Sequence, residues 1–271
     1  MSSEIKLSNT SVREYAYMIN RIEGEGYDTD NIESIKKFFE DKEYSVPTKR
    51  TYISAIINKH KDNTVLRNQL REYLVTLNEI LKKSKESGKP SERQQKKHLE
   101  WNKVIERSNK YIADARNKLE NRIIVALYTL LKPVRNDYIS CRLYKTDPKL
   151  KTGTYFIIND SIQEVVINEY KESKAHGPIR QKLPIQLTDL LLSWFHTADS
   201  VLFPILETNF GKKVQRAFME AVQVPMGCCA LRHSYATYIF KDSPMPLEAR
   251  QIAKDMGHSV ATQQSYRFAP T

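Results

Sequence analysis

Apolar residues recur every three to four positions in four segments of the first 85 residues. Side chains with this spacing lie on one face of an α-helix, so each segment predicts an amphipathic helix. The predicted helices cover Thr10–Glu23, Asn31–Glu40, a segment that begins near Thr48, and Thr64–Lys83. Four helices with short connections predict a compact bundle.

A change in composition separates this bundle from the rest of the chain. Residues 82–97 read KKSKESGKPSERQQKK, with charged residues, Gly and Pro but almost no large apolar side chain. Such a segment cannot bury itself, so it predicts a solvated basic linker. We expect a first domain at 1–85, a linker at 86–97 and a second domain at 98–271.

The second domain mixes helical spacing with alternation of period two. The alternating segments predict three short strands, at Tyr155–Ile158, Glu164–Tyr170 and Arg180–Ile185. Helical segments surround them, at Leu99–Ser108, Tyr111–Leu131, Asn136–Leu143, Thr188–Thr197, Asn209–Val222, Ala230–Lys241 and Leu247–Met256. The predicted fold class is mainly α: a helical bundle followed by an α+β domain with a small three-stranded antiparallel sheet.

The chain is basic, with 43 Lys and Arg against 32 Asp and Glu and a formal net charge of +11. Basic side chains near a phosphate backbone release condensed counterions, so this excess favours a nucleic-acid partner. Charge alone leaves open a basic protein that binds no nucleic acid. No apolar run approaches the roughly 20 residues of a membrane span, and Met1–Thr10 lacks a signal-peptide pattern, so we expect a soluble intracellular protein.

The cysteines do not predict disulfides or a metal site. The chain has three, Cys141 and the adjacent Cys228 and Cys229, which form neither an even framework nor a metal-ligand spacing. Adjacent cysteines rarely chelate one ion, even with His233 and His258 nearby in the sequence. We expect no metal and no cofactor.

Residues suited to phosphate chemistry are concentrated in the segment Met226–Tyr266. Arg232 lies near a predicted helix start, and His258 follows Gly257 at the end of the next helix. Far upstream, Arg135 also precedes a predicted helix, and two arginines match the oxygens of one phosphate. The alternatives are surface ion pairs for the arginines, and a glycine C-cap followed by a solvent-facing histidine.

The joint pattern resembles the tyrosine recombinase family, the integrases and site-specific recombinases of phages, bacteria, mobile elements and large DNA viruses. It consists of Arg135, a lysine in a strand hairpin, LRHSYAT, MGHS and a tyrosine soon after. The resemblance spans most of 99–266 and is most specific over ALRHSYATYIF and IAKDMGHSVATQQSY. The Thr10–Lys83 bundle is similar to the family's SAM-like core-binding domain, chiefly at PTKRTYISAI.

This resemblance implies a role for each matched residue. Arg135 and Arg232 would clamp the non-bridging oxygens of the scissile phosphate, and His258 would hydrogen-bond to that phosphate. Tyr266 would be the nucleophile that forms a 3′-phosphotyrosyl bond, without a metal or cofactor. Lys171 would be the general acid that protonates the leaving 5′ oxygen.

The chain departs from the family at Cys229, where a histidine usually stands three residues before the second arginine. A thiol does not replace imidazole without a perturbed pKa, so this role would be weakened or taken by His233. Lys174 is the alternative general acid. The DNA-binding residues implied by the resemblance are Lys49, Arg50, Lys97, Lys174, Arg180 and His233.

The resemblance further implies that the partner is double-stranded DNA. Only Arg267–Thr271 follow Tyr266, whereas many family members carry a further helix, so we expect a monomer off DNA and a tetramer on paired sites. The implied function is site-specific recombination for integration or excision of a mobile or viral element, in a prokaryotic cytoplasm or in a eukaryotic nucleus or viral factory. Relaxation of DNA by a type IB topoisomerase-like enzyme and an inactive DNA-binding regulator are the alternatives.

Overall fold

The computed structural model describes residues 9–139, 141–197, 201–203, 207–242, 245–260, 262 and 266–268. The chain divides into two compact units, Met1–Ser87 and Gly88–Thr271. The fold is mainly helical with one small mixed sheet. Among the described residues, no helix has both the length and the apolar character that a bilayer span requires.

The first unit contains the four helices that the apolar spacing predicts. They are α1 (Asn9–Gly24), α2 (Ile32–Asp41), α3 (Val46–Lys59) and α4 (Thr64–Glu86). The Asn31 side chain caps α2 by accepting from the backbone N–H groups of Glu33 and Ser34. The apolar faces meet in a core that includes Ile22, Ile35, Phe38, Phe39, Ile53, Ile56 and Leu70.

Part of the segment expected to be a solvated linker is helical. Helix α4 continues to Glu86, and a one-turn helix, α5, covers Glu92–Gln95. Ser91 and Gln94 form a capping box, in which each side chain accepts from the other residue's backbone N–H. These local hydrogen bonds form the turn without a buried core.

The second unit contains the sheet and the remaining helices. These are α6 (Trp101–Ala113), α7 (Leu119–Thr129), α8 (Ser173–His176), α9 (Ile185–Thr197), α10 (Glu207–Val222), α11 (Cys228–Ile239) and α12 (Pro246–Asp255). Helix α7 is almost entirely buried and forms the centre of the core. The break between α6 and α7 lies further along the chain than predicted, because Asp114 accepts from the backbone N–H of Arg116 and forms a turn there.

Within the described ranges the sheet has four strands, one more than predicted. They are β1 (Arg142–Tyr144), β2 (Thr154–Ile158), β3 (Gln163–Ile167) and β4 (Ile179–Lys182), in the order β1-β2-β3-β4. The three predicted strands are β2 to β4 and pair antiparallel. The additional strand β1 pairs parallel with β2 at the edge.

The predicted helix Asn136–Leu143 is wrong. Residues 136–139 form turns, and the chain enters β1 at Arg142. The Asp137 carboxylate accepts from the backbone N–H of Arg135 at 2.9 Å, and this local bond competes with helix formation. Tyr138 and Cys141 are fully buried, which fixes the segment in an irregular conformation.

Candidate active site

The C-terminal turn of α12 contributes backbone groups to the site. Gly257 has φ +69°, its N–H donates to Lys254 O at 2.9 Å, and the N–H of His258 donates to Ala253 O at 3.1 Å. This pair of bonds is a Schellman motif, so the glycine C-cap expected here is present. The tight turn directs His258 inward, where it is only 1 % exposed, so the alternative of a solvent-facing histidine is wrong.

This turn holds both candidate arginines. The Met256 carbonyl oxygen accepts from Arg232 Nη1 at 2.7 Å, and the next carbonyl, that of Gly257, accepts from Arg135 Nη1 at 3.2 Å. The two arginines are about a hundred residues apart in the sequence, yet adjacent carbonyl groups anchor them. Arg135 is further fixed because its own carbonyl accepts from the Tyr128 hydroxyl at 2.6 Å.

Tyr266 lies beside Arg232 and His258. The guanidinium carbon of Arg232 is 4.9 Å from the centroid of the Tyr266 ring. The His258 and Tyr266 rings are 5.5 Å apart and nearly parallel, at 21°. The structure therefore brings together four of the residues singled out from the sequence, which are Arg135, Arg232, His258 and Tyr266.

Several nitrogen atoms in this cluster are buried and have no hydrogen-bond partner among the described residues. Arg232 is completely buried, and its Nε and Nη2 atoms have no hydrogen-bond partner within the described parts of the chain. His258 Nε2 is likewise buried without a partner there. Burying guanidinium N–H groups without hydrogen-bond partners is costly, so such an arrangement is typical of a site that receives an anion.

The titration properties of the cluster follow from burial and from the two guanidinium groups. Burial lowers the pKa of Arg232, the charge of Arg135 lowers it further, and Tyr266 opposes the shift. Burial, followed by the charges of Arg232 and Arg135, lowers the pKa of His258 to about 3. His258 is therefore neutral at physiological pH. Burial also raises the pKa of Asp137.

The tautomer of His258 follows from its neighbour. Its Nδ1 atom is 3.1 Å from the carbonyl oxygen of Ser259. A carbonyl oxygen only accepts, so Nδ1 carries the proton and donates. The unpaired Nε2 atom is consequently an acceptor in this state.

Lys171 lies at the edge of the same site. It is exposed in the loop between β3 and α8, and it lines an open groove together with Arg135, Asp137 and Tyr170. Lys174 is exposed on α8 and is not among the residues that line this groove.

Cys229 and His233 line a second groove together with Lys97 and Phe268. Cys229 is exposed at the start of α11. The Nδ1 atom of His233 is 2.7 Å from the Tyr266 carbonyl oxygen. Burial lowers the pKa of His233. The thiol of Cys228, the residue that precedes Cys229, is buried against Tyr128 and Asn136.

The remaining basic residues expected to bind DNA are not part of the cluster around Arg232. Lys49 and Arg50 are on α3 in the first unit, Lys49 half-buried and Arg50 exposed. Arg180 on β4 forms ion pairs with Asp147 at 2.8 Å and Glu164 at 3.2 Å. Within the described residues, no three His, Cys, Asp or Glu side chains are close enough to hold a metal ion.

One polar network supports the site without any signal in the sequence. Lys132 pairs with Asp255, the last residue of α12, and these two are 123 positions apart. Gln181 on β4 accepts from the backbone N–H of Lys132 at 3.1 Å and donates to the Asp255 carbonyl at 3.0 Å. The network fixes the α12 terminus against β4 and the segment that leads to Arg135.

No protein-family model matches the chain, and no curated protein matches its sequence. A crystal structure of XerA recombinase is similar with a TM-score of 0.40 and 16% identity, over 98% of this chain and 89% of that chain.

Proposed function

We propose that this protein is a tyrosine recombinase that cuts and rejoins DNA strands through Tyr266, in the integration or excision of a mobile or viral element. One observation carries the proposal. A fully buried arginine and a buried histidine present unpaired nitrogen atoms beside a tyrosine, with a second arginine anchored on the same turn. This arrangement suits a phosphodiester and a hydroxyl nucleophile.

Arg232 is positioned to hold the phosphate in a defined orientation. Its Nη1 atom is occupied by the Met256 carbonyl, which leaves Nε and Nη2 unpaired. These two atoms form one edge of the planar guanidinium group, and that edge matches two non-bridging oxygens of a phosphate. Arg135 supplies a second positive charge, which stabilises the additional negative charge of the pentavalent transition state.

The first step is an in-line displacement. The hydroxyl oxygen of Tyr266 attacks phosphorus, a bond to that oxygen forms, and the bond to the 5′ oxygen breaks. His258 Nε2 accepts the phenolic proton, and the resulting imidazolium then donates a hydrogen bond to the phosphate. The charge on the phosphate offsets the two guanidinium charges that otherwise disfavour protonation of His258.

The leaving 5′ oxygen takes its proton from Lys171, which shares a groove with Arg135. A free 5′ hydroxyl from a partner strand then attacks the 3′-phosphotyrosyl bond and reverses the sequence. Each step exchanges one phosphate ester for another, so the energy of the broken phosphodiester bond is conserved.

We expect a monomer in the absence of DNA and a tetramer on paired DNA sites. Light scattering with and without duplex measures this difference.

A suicide substrate tests this proposal. The protein is incubated with nicked duplexes that carry the ends of its own genetic element, and adducts are separated on a denaturing gel. A covalent adduct that disappears in Tyr266→Phe and persists in EDTA is expected. No adduct on any such duplex would reject the enzymatic function, and an adduct in Tyr266→Phe would place the nucleophile elsewhere.

A 5′-bridging phosphorothiolate identifies the general acid, because a sulfur leaving group needs no proton. Lys171→Ala should cleave the ordinary duplex slowly and the phosphorothiolate at the wild-type rate. Lys174→Ala is the matched control and should cleave both at the wild-type rate. The reverse result would assign the acid to Lys174.

Joining of two marked duplexes, rather than relaxation of a supercoiled plasmid alone, distinguishes recombination from topoisomerase activity.

A further inference from the structure

The segment 266–268 is bound to the α11 helix of its own chain by contacts that converge on one histidine. His233 Nδ1 is 2.7 Å from the carbonyl oxygen of Tyr266. The His233 and Phe268 rings are parallel within 1°, with centroids 4.7 Å apart. The Phe268 N–H donates to Thr237 Oγ1 at 3.0 Å, one helical turn further along α11.

Phe268 acts as the second point of attachment. Its side chain is buried, with one face on His233 and its ring in edge contact with His98 at a centroid distance of 5.1 Å. The centroids of the Tyr266 and His233 rings are 4.6 Å apart, and the two ring planes are inclined at 55°. The His233 ring is therefore in contact with the two aromatic rings that flank Arg267.

The hydrogen bond fixes the chemistry of His233. The Tyr266 carbonyl oxygen only accepts, so Nδ1 is protonated and donates. Burial lowers the pKa of His233, which favours the neutral ring with its proton at Nδ1. His233 thus uses its ring nitrogen to hold the main chain.

We infer that His233 is a positioning residue for the nucleophile, and this inference rests on the proposed function. His233 follows Arg232 directly on α11, so consecutive residues of one helix hold the phosphate and the main chain of the attacking tyrosine. A rigid connection of this kind sets the distance between the phenolic oxygen and phosphorus. Small errors in that distance reduce the rate of a displacement strongly.

The two properties of the side chain are separable by substitution. His233→Asn retains an N–H donor near the position of Nδ1 and removes the aromatic ring. His233→Phe retains the ring and removes the donor, and His233→Ala removes both. His176→Ala, at an exposed histidine on α8, is the matched control.

Hydrogen exchange tests the attachment without any DNA. We expect amide exchange at Tyr266–Phe268 to be about tenfold faster in His233→Ala than in the wild type, as for the loss of one hydrogen bond, with an intermediate rate in His233→Asn. The midpoint of urea unfolding in each variant reports whether the fold is retained. Equal exchange in folded wild type and His233→Ala would overturn the inference, whether or not the protein cleaves DNA.

Single-turnover cleavage tests the positioning role. At saturating protein, His233→Ala should cleave a nicked duplex about 10- to 100-fold more slowly, and His233→Asn should recover part of the rate. The defect should remain on the 5′-bridging phosphorothiolate, which rescues only the loss of the general acid. A wild-type rate in His233→Ala would overturn the positioning role. Absence of an adduct in the wild type would instead overturn the proposed function.

Discussion

Gly257 and Tyr170 approach each other so closely that a Cβ atom on Gly257 would press against the Tyr170 ring. A Cβ atom on Gly257 would lie 3.0 Å from Tyr170 Cδ2, and the backbone of Gly257 has φ +69°. This contact packs the Schellman turn of α12 against the loop that follows β3. The site therefore depends at this position on the absence of a side chain as well as on a left-handed backbone.

We predict that Gly257→Ala destabilises the second unit by about 2–3 kcal/mol, through backbone strain and the clash with Tyr170. Cleavage should fall as well, because Met256 and Gly257 anchor Arg232 and Arg135. Urea unfolding and single-turnover cleavage measure the two effects. Gly153→Ala is the control, since Gly153 has φ +73° and no atom within 4 Å of the added carbon. Equal losses in both variants would show that the clash relaxes without cost.

The Lys132–Asp255 pair should stabilise the site more than an exposed ion pair does. The Asp255 side chain is 12% exposed and that of Lys132 is 33% exposed. We expect Lys132→Met to cost about 1–3 kcal/mol, because it leaves a largely buried carboxylate without its cation. The exposed pair Lys110–Glu106 is the control, and Lys110→Met should cost less than about 0.5 kcal/mol. Similar unfolding free energies for the two variants would contradict a structural role for Lys132.

His258 should make the stability of the second unit depend on pH. Its pKa is about 3 in the folded state, against 6.5 for the unperturbed side chain. Between these values the unfolded chain binds a proton that the folded chain excludes, so stability falls as the pH falls through this window. From pH 6.5 to 4 we expect the wild type to lose about 3 kcal/mol more than His258→Asn, which lacks the titration. Parallel stability curves would contradict the depressed pKa.

The cysteines should differ sharply in reactivity. Cys141 and Cys228 are buried, and burial raises the pKa of the Cys228 thiol to about 11, whereas Cys229 is exposed. Thiolate is the reactive form, so one rapid reaction with a disulfide reagent is expected in the folded protein. Cys229→Ser should abolish this fast phase and retain the slow one. A fast phase that survives the substitution would mean that a buried thiol becomes accessible.

The longer helices and three of the strands follow from the sequence because their signals are local, whereas the one-turn helices α5 and α8 are not predicted. Apolar spacing in 9–86 predicts α1 to α4, and alternation predicts β2 to β4. The errors arise where tertiary contacts override local preference. Residues 136–143 have helical spacing, but burial of Tyr138 and Cys141 and the Asp137–Arg135 hydrogen bond impose an irregular segment and an edge strand.

The sequence by itself determined which residue types stand at Arg135, Lys171, Arg232, His258 and Tyr266, and it marked Gly257 as a helix end. Only the tertiary structure decided that consecutive carbonyl groups of this end hold both arginines, that Arg232 is buried with an unpaired edge, and that His233 contacts the main chain of Tyr266. These relations join residues up to 122 positions apart. No local pattern records them, because burial and hydrogen-bond pairing at such separations depend on how the whole unit packs.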